Sequence, residues 1–264
     1  WRLSADKLTL DHENNRGTAR NMTIRIKNVP VFYSPYLSFP LSKERKSGFL
    51  APGYGSTNRH GLEITTPYYW NISPNMDATL APRFFSDSGV MAVGEYRYLF
   101  SRGEGQLNVE YLPSDNLRDD KHRNSLSFVH DQEFLDTGRM HLTFNRVSDK
   151  FYFEDFGSQL SVTSTRYLER RADIYYRSSD FGYNWNIRTR VQDYQTVDRS
   201  IALTSRPYKR LPQVFFNVHT PRRYGQLNYG LETESVYFDR GDDQAFTDNV
   251  HGLRVSMIQY IRCP

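Results

Sequence analysis

The stretch GLEITTPYYWNISPNMDATLAPRFF, residues 61–85, decides the fold. Leu62, Ile64, Thr66, Tyr68, Trp70 and Ile72 alternate with Glu63, Thr65, Pro67, Tyr69 and Asn71. After the turn SPN the rhythm resumes, with Met76, Ala78, Leu80, Pro82 and Phe84 on one face. A period of two marks a strand with one apolar and one wet side. Pro67 and Pro82 interrupt that grammar, because proline has no N–H to give to a ladder and central strands rarely carry it. Two prolines on neighbouring strands indicate an edge, a bulge or a weak seam.

Working toward the C-terminus, the same rhythm repeats. VMAVGEYRYLF (90–100) sets Ala92, Gly94, Tyr96, Tyr98 and Phe100 against Glu95 and Arg97, and QLNVEYL (106–112) sets Leu107, Val109 and Tyr111 against Asn108 and Glu110. RMHLTFN (139–145), RRADIYYR (170–177), LPQVFFNVHT (211–220) and YGQLNYGLETESVYF (224–238) continue it, giving about ten or eleven strands in meander order. Tight connections (SPN, RGEG, SSDFG) alternate with long polar ones, 113–124, 147–163 and 239–248. Outer-membrane barrels show that asymmetry, with short turns on the periplasmic side and long loops outside.

Toward the N-terminus, LTL (8–10) and MTIRIK (22–27), with Met22, Ile24 and Ile26 on one side, read as short strands. Residues 28–61 hold Pro30, Pro35, Pro40 and Pro52. Spaced prolines stiffen a chain without letting it join a sheet, so this segment reads as a semi-rigid hinge and a domain boundary.

Composition bounds the alternatives. The chain has 264 residues, 38% hydrophobic, with 19 Tyr, 17 Phe and 3 Trp, and a mean hydropathy of −0.70. No run approaches the roughly 18 apolar residues of a membrane-spanning helix, but barrel strands need only every second residue apolar. A soluble sandwich also alternates. Its wet face, however, usually carries many Lys and Glu, whereas here that face is Asn, Thr, Arg, Asp, Glu, Gln and His. Tyr and Trp crowd the other face, as at membrane headgroup level, and this favours the barrel.

The +4 charge comes from well-mixed ions, with only KERK at 43–46 as a basic run, which argues against a nucleic-acid face. The single cysteine, Cys263, permits no internal disulfide. No nucleophile elbow, phosphate loop, dinucleotide fingerprint or HExxH motif occurs, and no cofactor is implied. His130 with Asp131 and Glu133 can be drawn as an acid–base cluster, but a lumen-facing polar patch explains the same residues. The chain opens on WRLSADKLTL without a signal segment and reads as a piece of a longer protein.

Three stretches carry a resemblance: NVPVFYSPYLSFPLSKERKSGFLAP, PYYWNISPNMDATLAPRFF and GQLNVEYLPSD. They resemble the lipopolysaccharide-assembly family LptD, also called OstA; SMIQYIRCP at the end does not match it. The resemblance implies an all-β molecule: residues 1–29 end a periplasmic β-jellyroll, 30–60 form the hinge with Pro30, Pro35 and Pro40, and 61–264 begin an antiparallel transmembrane β-barrel in the bacterial outer membrane. Closing that barrel requires strands beyond these.

It further implies that lipopolysaccharide is inserted into the outer leaflet without catalysis. Its acyl chains are held in a jellyroll groove suggested by Ile24 and Ile26, then leave through a lateral gate at Pro67 and Pro82. The sugar crosses a lumen lined by polar residues such as Glu95, Arg97, Asn108 and Glu110. The expected partners are a lipoprotein plug, LptE, in the lumen, a periplasmic bridge, LptA, on the jellyroll, and outer-membrane lipid. Alternatives are a porin-like diffusion channel, a soluble carbohydrate-binding β-sandwich, and prolines that merely sit at strand ends or bulges.

Overall fold

In a computed structural model of the chain, the described residues are 2–13, 16–26, 29–41, 45–157, 165–180, 182–220, 227–240 and 250–262. Two compact units are formed, one by Trp1–Arg97 with Glu110–His122 and one by Tyr98–Val109 with Arg123–Pro264. No helix among the described residues is long and apolar enough to cross a membrane.

The first four strands, Arg2–Ser4 (β1), Lys7–Asp11 (β2), Arg16–Ile26 (β3) and Val29–Pro40 (β4), make a small antiparallel sheet. β3 is its spine. One side pairs with β1 (Leu3↔Ile24) and then β2 (Leu8↔Ala19), and the other pairs with β4 along nearly its whole length (Arg16↔Pro40 to Ile26↔Val29). Between its β1 and β2 partners β3 kinks at Asn21, which takes a positive φ of 50° and donates its side-chain amide to Asp6 at 2.9 Å. The reading of 30–60 as an unpaired connector is therefore corrected for its first third. Pro30, Pro35 and Pro40 lie in β4, which pairs only with β3 among the described residues. An edge strand tolerates missing donors, so proline density there does not exclude a strand.

The remaining strands form one sheet of 14. They are Gly48–Phe49 (β5), Gly53–Thr57 (β6), Gly61–Thr65 (β7), Tyr68–Ser73 (β8), Met76–Phe85 (β9), Gly89–Phe100 (β10), Gly103–Asp115 (β11), Lys121–Phe134 (β12), Gly138–Val147 (β13), Tyr167–Ser178 (β14), Asn184–Thr196 (β15), Lys209–His219 (β16), Asn228–Asp239 (β17) and His251–Arg262 (β18). From β9 to β18 the order is sequential, a meander in which each strand pairs with its chain neighbours. One short helix, Tyr152–Phe156 (α1), sits in the connection after β13.

Two sequence expectations change. The connection read as 113–124 shrinks to 116–120, because Pro113–Asp115 ends β11 and Lys121 starts β12. The end of the chain is a full strand: β18 pairs with β17 from Asp239↔His251 to Asn228↔Arg262 without a break. The alternation of Leu253, Val255, Met257 and Ile261 carried that signal. Cys263 lies outside the described residues.

The faces are sorted as the alternation requires. In the first unit Leu62, Trp70, Ile72, Leu80 and Phe84 stand exposed on one side, while Arg83 forks onto Glu63 at 2.7 and 3.0 Å on the other. In the second unit Ile174, Val191, Tyr229, Tyr237, Leu253, Val255 and Met257 are exposed on one side. Their neighbours Arg171, Arg188 and Arg190 surround Asp173 on the other, at 2.8, 3.5 and 2.9 Å. A polar face that satisfies its charges internally and an apolar face left exposed among the described residues is the arrangement of a wall between water and lipid.

Candidate functional site at the edge of the large sheet

The edge is built from three ribbons: β5 with β6, β7 with β8, and β9. Gly48↔Tyr69 and Phe49↔Tyr68 pair the first two, and extending that register puts Leu50 opposite Pro67. The Leu50 N–H donates to the Pro67 carbonyl at 2.9 Å, but the return bond cannot form because Pro67 has no N–H. On the other side of the same ribbon, Thr65↔Arg83 and Tyr68↔Leu80 place Thr66 opposite Pro82. The Thr66 N–H donates to the Pro82 carbonyl at 3.1 Å, and again the return bond is impossible. In each pair the proline supplies the acceptor and lacks the donor, so both ladders are thinned at one level of the wall.

Pro52, assigned from sequence to the hinge, belongs to the same row. The register shifts by one between Phe49↔Tyr68 and Gly53↔Thr65, so Ala51 and Pro52 form an irregularity beside Thr66. Three prolines thus interrupt three adjacent ribbons. Sequence reasoning missed the third because the edge ribbon itself was hidden in the proline-rich segment. Pro52 falls between β5 and β6 and Pro67 between β7 and β8, at strand ends within the first and second ribbons, whereas Pro82 lies inside β9, the third. Pro212, on β16, is a useful contrast: the register shifts between Arg210 and Gln213, so an interior proline is absorbed by a bulge.

Just below this row the chain entering the sheet is fastened. Asp77 is 5% exposed and takes both nitrogens of Arg97, Nε at 2.8 Å and Nη2 at 3.0 Å. It also takes Arg45 Nη1 at 2.9 Å and the Tyr69 hydroxyl at 3.1 Å. Arg45 additionally donates to the Pro74 carbonyl. Asn71 closes the clasp, its side-chain amide donating to the Arg45 carbonyl and its backbone N–H donating to the Ser47 hydroxyl oxygen, both at 2.9 Å. Arg45 precedes Pro52 in sequence and Asp77 falls between Pro67 and Pro82, so no local pattern announced their pairing.

The other sequence candidates fall as follows. Arg97 joins this clasp, with Glu95 3.4 Å away, and both lie on the polar face. Asn108 accepts from Gln106 at 3.3 Å, and Glu110 follows on the same side of β11. Ile24 and Ile26 lie on β3 by backbone, but their side chains are outside the described residues.

The His130, Asp131 and Glu133 cluster is not assembled. His130 opposite Leu142 shares the apolar side, bound to the Tyr98 hydroxyl at 2.7 Å, whereas Asp131 lies opposite His141 on the polar side at 2.7 Å. Strand alternation separates what adjacency in sequence joined. The polar-patch reading places His130 on the wrong face for the same reason.

A second built feature lies in the connection after β13. Arg123, with a side chain 3% exposed, forks onto Asp149 at 2.9 and 3.0 Å and reaches Asp155 at 2.6 Å. Its guanidinium sits over the rings of Phe156 (4.7 Å) and Tyr152 (5.6 Å), which holds α1 down. In the connection after β15, Asp198 takes the hydroxyl and N–H of Ser200 at 2.7 and 2.8 Å, and these bonds hold its carboxyl below the usual carboxylate range.

Comparison with known proteins settles the lineage. The family model described as LptD, LPS transport system D, matches residues 121–262, more than half of the chain. The chain belongs to the LptD family. Relatives named LPS-assembly protein LptD include one from Nitrosococcus oceani, 45% identical over 91% of this chain and 32% of its own length. Another, from Alkalilimnicola ehrlichii, is 40% identical over 97% and 33%, and one from Pseudomonas aeruginosa is 37% identical over 95% and 26%. The chain therefore spans about a third of the length of the curated LptD relatives it matches. The family match runs through β18, so SMIQYIR, read from sequence as unlike the family, falls within it.

Proposed function

We propose that this chain is part of an outer-membrane translocon that places lipopolysaccharide in the outer leaflet, the proline row being the seam through which acyl chains leave. The observation that carries this reading is the paired loss of donors at Pro67 and Pro82, with Pro52 beside them, on the ribbons that end the sheet. Each hydrogen bond is worth about 0.5–1.5 kcal/mol net in water, but opening one in hydrocarbon costs several kcal/mol. A wall that must part laterally is helped where there are fewer bonds to break. The relatives' printed name, LPS-assembly protein, agrees with this use of the seam.

In the same reading the small sheet β1–β4 ends a periplasmic jellyroll that supplies the lipid, Ile24 and Ile26 being the residues that the sequence assigns to its acyl-chain groove. The lumen-facing residues Glu95, Arg97, Asn108 and Glu110 let the sugar pass. A lipoprotein plug and a periplasmic bridge complete the machine. Replacing Pro52, Pro67 and Pro82 with valine restores donors and is expected to lower delivery of lipopolysaccharide to the cell surface several-fold at unchanged protein level. Unchanged delivery would remove the gate. A porin-like channel is tested by conductance in planar bilayers: free ion flow through the complete protein would favour the pore over the translocon.

A further inference from the structure

At the loop ends of β13–β17, within the second unit, lies a cavity of about 400 Å³. Its lining includes Lys150, Arg170, Arg206, Lys209 and Arg240 against two carboxylates, Asp149 and Asp193. Both carboxylates are already engaged, Asp149 by the two-pronged Arg123 contact and Asp193 by Arg170 at 3.3 Å. Among the described residues that line the cavity, cations outnumber carboxylates five to two. Its cations are held in place: Arg240 donates to the Arg206 carbonyl at 3.1 Å and lies 3.9 Å over the Tyr208 ring.

Register fixes which side of the wall this cavity belongs to. Arg170 pairs with Phe144 on one neighbour and Asp193 on the other. The next positions along the same face are Leu142, Ala172 and Val191, followed by Ile174. The guanidinium rests 5.6 Å from the Phe144 ring. Cations therefore crown the apolar face where strands give way to long connections. At such a level, Arg and Lys stems lie along apolar surface while their charges reach the headgroup layer, and planar guanidinia favour phosphate oxygens.

We infer that this cavity binds the phosphate of a lipid headgroup in the leaflet that surrounds the long-connection end of the wall. The inference rests on the translocon reading in one respect, that the apolar face meets lipid. It adds a fixed lipid seated on the outside of the wall, apart from any lipid in transit.

The test uses the complete protein in detergent, stripped of lipid and then offered lipopolysaccharide, with bound lipid counted by native mass spectrometry. The Arg206→Gln, Lys209→Gln, Arg240→Gln triple variant is expected to retain it about tenfold less tightly than the parent, which corresponds to about 1.4 kcal/mol. Phosphatase-treated lipopolysaccharide, with its acyl chains intact, should bind both proteins equally weakly. Equal retention of the phosphorylated lipid by parent and triple variant would overturn the inference. So would displacement by inorganic phosphate alone, which would mark a site for free anion.

If heat-modifiable migration shows that the triple variant misfolds, Arg240→Lys, which keeps the charge but loses the fork, must give an intermediate loss for the inference to stand. Delivery to the cell surface is scored separately. A parent protein that holds this lipid yet delivers none would sink the transport reading and leave the site intact.

Discussion

Asp77 fastens two guanidinia and a phenol with one carboxylate, and its consequences belong to the scale of single residues. Arg45 and Arg97 are about half exposed, so water shares their charge, whereas the carboxylate itself is buried and depends on its partners. Asp77→Asn is expected to cost about 1–3 kcal/mol and to free residues 45–47 for cleavage, seen as faster limited proteolysis there with the rest of the wall resistant. Arg123 is the harsher case. Arg123→Met leaves the buried Asp155 without its cation, a loss of about 3–5 kcal/mol. It should expose α1 to proteolysis near Phe153. If α1 stayed protected, the cation would not be what holds it. Neither pairing was legible beforehand, because both join residues more than 25 positions apart.

Among the elements, the proline row separates a thinned ladder from an ordinary bulge. Pro52, Pro67 and Pro82 lie on the three edge ribbons, but Pro212 lies between two fully paired neighbours and costs the sheet only a register shift. Pro212→Val should therefore leave lipopolysaccharide delivery unchanged, while the triple valine variant at the edge slows amide exchange around Leu50 and Thr66 as well as delivery. A fall in delivery from Pro212→Val would mean that any stiffening of the wall matters, not this seam.

What could be read in advance divides along the same line. Alternation is local, so the strands from Tyr68 to Asp239 were legible in their order and faces, though not in all their ends, as β11 and β12 show. β4, β5 and β6 were not. Their prolines and glycines describe a connector unless one knows that only one side of each must pair, and edge position is a property of the whole sheet. β18 was readable in Leu253, Val255, Met257 and Ile261, but Ile258 on the opposite face blurs the period.

For the molecule as a whole, two open edges set the constraint. Among the described residues, β5 and β6 at one end of the large sheet and β18 at the other have no further strand beside them, and an edge left so is not tolerated by hydrocarbon and in water invites pairing with other chains. The chain expressed by itself is expected to aggregate and to leave no heat-modifiable band. The complete protein should insert and show one. A monodisperse, soluble 264-residue product would contradict the wall-in-lipid reading of the Tyr-rich faces.

The most direct test of the account places a photoreactive amino acid at Leu50 in the complete protein, and separately at Val214 on β16, in cells actively exporting lipopolysaccharide. The account predicts crosslinks to lipopolysaccharide at position 50 that vanish when export is stopped, with any signal at 214 indifferent to export. Export-dependent crosslinking at 214, or none at 50 while lipopolysaccharide still reaches the surface, would contradict it.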